Sequence, residues 1–314
     1  MNLLSLDTIL ALTRRGLLPQ FFRSLIWHIR SFVARFWNPK LDWHVGKIKC
    51  LVPLGHDLPF IWQDHPFYSA AIAHAAVFLA QQRHDFCAID VGANIGDTAL
   101  LVRNELGCPV LCVEADPGFF KILELNAASL PGVSCVHTLL AASDAVLSGR
   151  LKSGNSSSRF HRKPLGPTAQ TSSLDQLLKT QPVFLNTAFL KIDTDGFELQ
   201  VLRGAEALLR RAAPVLFLEF APSLLASAGD NAVALIAFLC ELGYGPALAY
   251  DHTGPLRAFV ELGKTDLLKA LTDWGGGNPD YYVDLCVFPV NRTVAAQEFF
   301  AQEQAFFKDS NRSR

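Results

Sequence analysis

A chain of 314 residues, half of them apolar and 18% charged, has ample material for a buried core, which excludes wholesale disorder. A formal net charge of −1 gives no global attraction to nucleic acid or an anionic surface, so any such contact must rest on a local patch. The seven cysteines form no C-x-x-C pair, and no run reaches the ~18–20 apolar residues of a membrane span. A disulfide framework and a spanning helix are therefore not expected, and a reducing, cytoplasmic compartment is.

The first forty residues stand apart. Six Lys/Arg (14, 15, 23, 30, 35, 40) face the single acid Asp7, which also interrupts the first apolar run and spoils a signal-peptide layout. A helix is expected between Pro19 and Asn38-Pro39, with Phe21, Leu25, Ile29, Phe32 and Phe36 on one face and Arg23, Arg30 and Arg35 elsewhere. Such a helix docks on its own domain, on a dimer partner, or on an anionic membrane at the inner face; a cleaved targeting segment would share the composition. Oligomeric state is not legible.

Residues 41–85 are expected to form a cap, with short strand-like runs around Lys47–Val52 and a helix over Ala70–Gln82. From Phe86 onward short apolar runs alternate with helical stretches, the pattern of a parallel sheet covered by helices on both faces. Strands are predicted at Phe86–Val91, Val110–Glu114, Ser134–Leu140, Phe189–Asp193, Val215–Phe220, Ala247–Tyr250 and Asp284–Phe288. The polar stretch Leu147–Thr171 reads as an inserted hairpin or mobile loop able to close over a substrate. The domain boundaries are thus 1–40, 41–85, 86–290 and a helical tail at 291–314.

The sharpest local signal is Asp90-Val91-Gly92-Ala93-Asn94-Ile95-Gly96, where a strand breaks into a turn and a helix follows. Gly92 and Gly96 let the backbone approach a ligand, and the helix start offers N–H groups and a positive dipole end to an anion. Eighteen residues past Gly96, Glu114 closes the next strand, near the ~20-residue interval at which an acid meets ribose hydroxyls. The loop lacks the central glycine of G-x-G-x-x-G, which favours a nucleoside cofactor without phosphates; a dinucleotide, or a turn with no ligand, remain as alternatives.

At the fourth strand, Lys191 and Asp193 lie two residues apart on one side, with Asp193 at the carboxyl end, where open α/β sheets bind ligands. Asp193 can serve as a general base or hold a metal, with Lys191 and Glu198 as further candidates; the same groups can equally be ion pairs and helix caps. Glu219 and His252, after the fifth and sixth strands, point towards the same region. Asn278-Pro279-Asp280-Tyr281 looks like an adenine-amino methylation signature but falls after the wrong strand. No zinc spacing occurs among the nine histidines, so no zinc site is expected.

Together, D-V-G-A-N-I-G at Asp90–Gly96, V-E-A-D-P at Val113–Pro117, S-L-D-Q-L-L at Ser173–Leu178 and K-I-D-T-D-G-F-E-L-Q-V-L-R-G-A at Lys191–Ala205 resemble the ordered motifs of FkbM-type methyltransferases. The resemblance covers about residues 86–245 and leaves out the basic N-terminal segment. It implies a Rossmann-like class I methyltransferase sheet of about seven strands and S-adenosyl-L-methionine as cofactor. Methyl transfer to a hydroxyl of a sugar, glycolipid or secondary metabolite would follow. Asp90, Gly92, Asn94 and Gly96 then match the cofactor loop, Glu114 the ribose acid, and Ala142 and Asp144 the adenine contacts. One departure is that Asp195 stands where the family usually has glutamate. Amine or carboxylate methylation, and a non-catalytic cofactor-binding module, are the competing readings.

Overall fold

The computed structural model describes residues 20–163, 165–264, 266, 269–270 and 281–312. Its centre is an eight-stranded sheet assembled from β3 (Ala88–Val91), β4 (Val110–Glu114), β5 (Val133–His137), β10 (Phe189–Ile192), β11 (Val215–Phe220), β12 (Tyr244–Asp251), β13 (Leu256–Glu261) and β14 (Val283–Pro289). The order is β13-β12-β14-β11-β10-β3-β4-β5. β5, β4, β3, β10 and β11 run parallel, β14 is antiparallel to both β11 and β12, and β13 folds back on β12 as an edge hairpin.

The central strands β3, β4, β10 and β11 are buried on both faces, which is why they read as mainly apolar runs instead of alternating ones. On one face Ile89, Val91, Leu190, Ile192 and Leu218 pack on α6 (Leu174–Leu178), α7 (Glu198–Arg203), α8 (Glu206–Ala212), α9 (Pro222–Ser227) and α10 (Ala232–Glu241). On the other, Ala88, Val110, Phe189, Phe217 and Phe288 meet α3 (Ala70–Ala80), α4 (Asp97–Leu106) and α11 (Thr293–Arg312). Helix starts follow their side chains. Asp116 caps α5 (Pro117–Ala127) through the amides of Gly118 and Phe119, and Ser173 caps α6 through the amide of Gln176.

The sheet departs from the sequence expectation in three places. The β13 edge strand makes it eight-stranded. The predicted run Ser134–Leu140 divides into β5 and a two-residue β6 (Leu139–Leu140) that leaves the main sheet. Leu147–Thr171 folds with β6 as a four-stranded sheet, β6-β9-β7-β8, from β7 (Ala145–Ser153), β8 (Ser158–Arg162) and β9 (Thr168–Ser172).

The N-terminal helix α1 (Gln20–Phe36) and the hairpin β1 (Lys40–Val45) and β2 (Ile48–Pro53) precede α2 (Leu58–Asp64). The hairpin packs Trp43, Val45 and Val52 against Ile95, Leu100 and Phe119, so the cap shares a core with the start of the sheet. α1 packs on the domain through Arg30 and not through its apolar stripe. Arg30 is the buried residue, 4% exposed, and its guanidinium pairs with Asp57 and donates to the carbonyls of Leu54 (3.0 Å) and His56 (2.9 Å). It also lies over the rings of Trp27 and Phe60. The apolar stripe faces away: Leu25, Ile29, Phe32 and Phe36 are 44%, 53%, 63% and 79% exposed.

Among the described residues no helix is long and apolar enough to cross a membrane. All seven cysteines are free thiols, and Cys240 alone among them is exposed.

Candidate active site

A cavity of about 400 Å³ opens beyond the carboxyl ends of β3, β4, β10 and β11, where side chains on successive strand ends converge without interrupting the sheet. The loop after β3 forms its floor. Gly92 holds φ +76°, and a Cβ there would lie 1.8 Å from the carbonyl oxygen of Asp193, so only glycine lets the β3 and β10 loops meet. Asn94 adopts φ +51°, and its side chain links two other parts of the wall: its Oδ1 is 3.0 Å from His56 Nε2, and its Nδ2 donates to Ser156 O (2.8 Å).

Glu114 lines the cavity at the end of β4. Its two oxygens accept from the amides of Asn94 and Asp116, each at 2.7 Å, which fixes the carboxylate while leaving lone pairs for a ligand. Burial pushes its carboxyl up to about 7. Asp97, in the first turn of α4, also lines the cavity and is pushed up to about 6 by burial. Neither His56 nor Asp97 stands out as a site residue in the sequence. Asp97 sits inside the glycine loop and gives no signal beyond it, and His56 comes from the cap.

Around β10 the charges form a chain. Lys191 Nζ donates to Asp90 Oδ1 (3.0 Å) and lies 3.4 Å from both Asp193 Oδ2 and the Gly92 carbonyl. Burial opposes the ammonium, yet Asp90, Asp193 and Asp97 outweigh it and hold Lys191 well above the usual lysine range. Asp90 is buried behind this lysine and does not line the cavity. Asp193 lines the cavity with its side chain 47% exposed.

Asp195, at φ +53°, takes an ion pair from Arg159 on β8 (3.1 Å). With Phe160 against Phe197 and Ser153 donating to Asp116, this ion pair clamps the inserted sheet over the cavity.

Several sequence candidates lie outside the lining. Glu198 is fully buried, and its Oε1 accepts from the amides of Thr194 (2.9 Å) and Gly196 (3.2 Å), so it shapes the loop after β10 and does not line the cavity. Ala142 and Asp144 do not line the cavity; Thr138, Leu139 and Leu140 form that wall. Asp144 instead accepts from the Ser173 amide (2.8 Å) ahead of α6. His252 packs against Tyr281 and Tyr282 and is also outside the lining, whereas Glu219 is within it. Asn278, Pro279 and Asp280 lie outside the described residues; Tyr281 donates to Asp251 (3.1 Å). Among the described residues no group of three His, Cys, Asp or Glu side chains is placed to hold a metal ion.

The antiparallel strand β14 between β11 and β12 separates this sheet from the dinucleotide-binding order 3-2-1-4-5-6. With a glycine loop after the first parallel strand and an acid closing the second, the arrangement is that of a class I methyltransferase fold. More narrowly, the chain belongs to the FkbM methyltransferase family, whose domain model matches residues 90–246, half of the chain.

Among solved structures it is similar to the FkbM methyltransferase of Methylobacillus flagellatus, at 16% identity and TM-score 0.32 over 43% of this chain and 33% of that one. The chain thus spans about a third of that relative's length. The O-methyltransferase of Bacillus cereus in complex with SAH is matched at 14% identity and TM-score 0.36, over 74% of this chain and 96% of that one. A precorrin-6y C5,15-methyltransferase of Geobacter metallireducens is matched at 13% and 0.36, over 69% and 86%. No curated protein matches the sequence.

Proposed function

We propose that this chain is a cytoplasmic O-methyltransferase acting on a hydroxyl of a sugar, glycolipid or secondary metabolite. The observation that carries the reading is Asp193: its carboxylate reaches the cavity from the end of β10, beside the glycine loop and within 3.4 Å of the Lys191 ammonium. The free thiols support the compartment.

The residues present fit the cofactor. Glu114 is fixed by two amides and can accept both ribose hydroxyls, the N-terminus of the ten-residue α4 suits a carboxylate, and Asp97 beside it suits the amino group of the same moiety. S-adenosylmethionine supplies an electrophilic methyl group on a sulfonium, which parts with it while the C–S bonding pair stays on sulfur. Asp193 accepts the proton that the acceptor hydroxyl gives up as its oxygen bonds to carbon, leaving a methyl ether and S-adenosylhomocysteine. Lys191 Nζ, 3.4 Å away, fixes the position of the Asp193 carboxylate, so that the acceptor hydroxyl meets it in a set geometry.

Calorimetric titration with S-adenosylhomocysteine, with NADH as control, tests the cofactor assignment. The first is expected to bind alone, and Glu114→Ala to weaken it by about 1–3 kcal/mol, because ribose hydroxyls lose a charged acceptor. Binding of NADH instead, or unchanged affinity in the variant, would remove Glu114 from that role.

The same reading places α1 on an anionic membrane surface. Its outward stripe Leu25, Ile29, Phe32 and Phe36 ends beside exposed Trp37, Arg35 and Lys40, and no acid occurs between Asp7 and Asp42. The buried Arg30 leaves that stripe free by anchoring the opposite side of the helix. In sedimentation with phosphatidylglycerol vesicles, the double variant Phe32→Ser, Phe36→Ser is expected to lose about tenfold or more in partitioning. Equal binding by the variant, or indifference of the wild type to vesicles, would sink this part of the reading.

A further inference from the structure

Glu219 and Asp284 are direct partners across β11 and β14, so their side chains leave the sheet side by side, and both line the cavity. Asp193, at the end of the next strand β10, is the third carboxylate of this row. Glu219 is only 7% exposed, and its Oε2 is buried with no hydrogen-bond partner among the described residues. The nearby ammonium is already engaged, because Lys191 Nζ holds Asp90, Asp193 and the Gly92 carbonyl.

Burial, followed by the charges of Asp193 and other neighbouring acids, pushes Glu219 well above the carboxylate range; burial and Asp193 do the same to Asp284. Tyr68 and Tyr282 line the same cavity, and burial, then neighbouring acids, pushes both hydroxyls well above the ordinary tyrosine range.

Burial favours the protonated form of both acids, and a cation held against them, near aromatic rings, returns them to carboxylates. Three acids arranged as a metal site would take a metal ion as that cation, but the described residues hold no such group. Nor is the sulfonium a fitting occupant. Its charge fades as the methyl leaves, so anions held against it stabilise the ground state more than the transition state and slow the reaction.

Uncompensated carboxylates also disfavour loss of a proton from a nearby hydroxyl, whereas a positive charge on the acceptor itself offsets them. We propose that Glu219 and Asp284 form the acceptor subsite and that it takes a hydroxyl compound carrying a protonated amine close to the methylated oxygen. This rests on the methyltransferase reading above. It also excludes anionic acceptors, which the row of carboxylates repels.

The test uses one ring in three charge states. Full-length protein saturated with S-adenosylhomocysteine is titrated calorimetrically with glucosamine, glucose and glucuronate. Glucosamine is expected to bind about tenfold tighter than glucose, and glucuronate not at all. Glu219→Gln should shrink the glucosamine preference to about twofold while S-adenosylhomocysteine affinity stays unchanged; Asp284→Asn provides the same reading if the first variant fails to fold.

Equal affinity for glucosamine and glucose, a preference untouched by both variants, or no binding of any probe would overturn the subsite. Failure of S-adenosylhomocysteine to bind at the outset would overturn the cofactor reading instead, so the two are told apart.

Discussion

Asp193→Asn is expected to lower kcat by about 10²–10⁴-fold while S-adenosylhomocysteine binding stays within about twofold of wild type. Asparagine preserves the shape of the side chain but cannot take a proton at neutral pH. The structural role of Asp193 is small enough for the loss to be read as chemistry. Its side chain is 47% exposed, and Lys191 keeps its shorter 3.0 Å contact to Asp90 without it. The Gly92 turn meets the Asp193 carbonyl, a backbone group that the substitution leaves in place. Single-turnover kinetics with saturating cofactor would separate the chemical step from product release. A variant with wild-type kcat would move the proton acceptor elsewhere on the row of carboxylates, and Glu219 would be the first to try.

The fold was legible because buried parallel strands announce themselves as short apolar runs, and the glycine loop because tight turns demand specific residues. The S-L-D-Q-L-L and G-A elements were legible for a reason unrelated to chemistry. Asp175 caps α8 through the amides of Ala207 and Leu208, and a Cβ at Gly204 would meet the Ala141 carbonyl at 2.1 Å. Motifs of this kind record how the loops after β6 and β10 are held.

What sequence reasoning missed is of two sorts. β13 follows a tight turn at the sheet edge, where the half-buried pattern of Leu256–Glu261 is too short to register. Groups that depend on three-dimensional neighbours leave no local pattern at all: His56 reaches Asn94 from the cap, and Arg159 reaches Asp195 from the inserted sheet. α1 is a further case of a group whose role depends on its neighbours. Its periodicity located the helix but left open whether the domain, a partner or a membrane receives the apolar face, and gave no sign that Arg30 would be the residue turned inward. The outcome turned on one arginine, whose guanidinium finds two carbonyls, a carboxylate and two aromatic rings on the domain. Those partners together stabilise the buried charge in a way that the stripe of Leu25 to Phe36 cannot match on this polar patch.

Lys191→Met should be the most destabilising single change in the site, by about 3–5 kcal/mol in urea denaturation at pH 8. Methionine fills the same unbranched volume, so the loss reports charge and not packing. Lys191 and Asp90 are 8% and 3% exposed at the side chain, which leaves the orphaned Asp90 carboxylate with little water to turn to.

The pH dependence has a definite sign. Burial already raises Asp90 above its ordinary value, and removal of Lys191 takes away the neighbour that pulls it down, so Asp90 in the variant binds its proton more tightly in the folded than in the unfolded state. Stability conferred by such a group is present below its unfolded pKa and lost as pH rises through its folded one. The deficit of the variant should therefore shrink on acidification and grow towards pH 8, whereas Lys191 in the wild type, held well above the usual lysine range, stays charged throughout that window.

Adding Asp90→Asn to Lys191→Met should recover a large part of the loss, since the buried charge disappears together with its partner. A single variant within about 1 kcal/mol of wild type at pH 8, or a double variant no better than the single, would mean that the pair is not the electrostatic centre of the β3 and β10 strand ends.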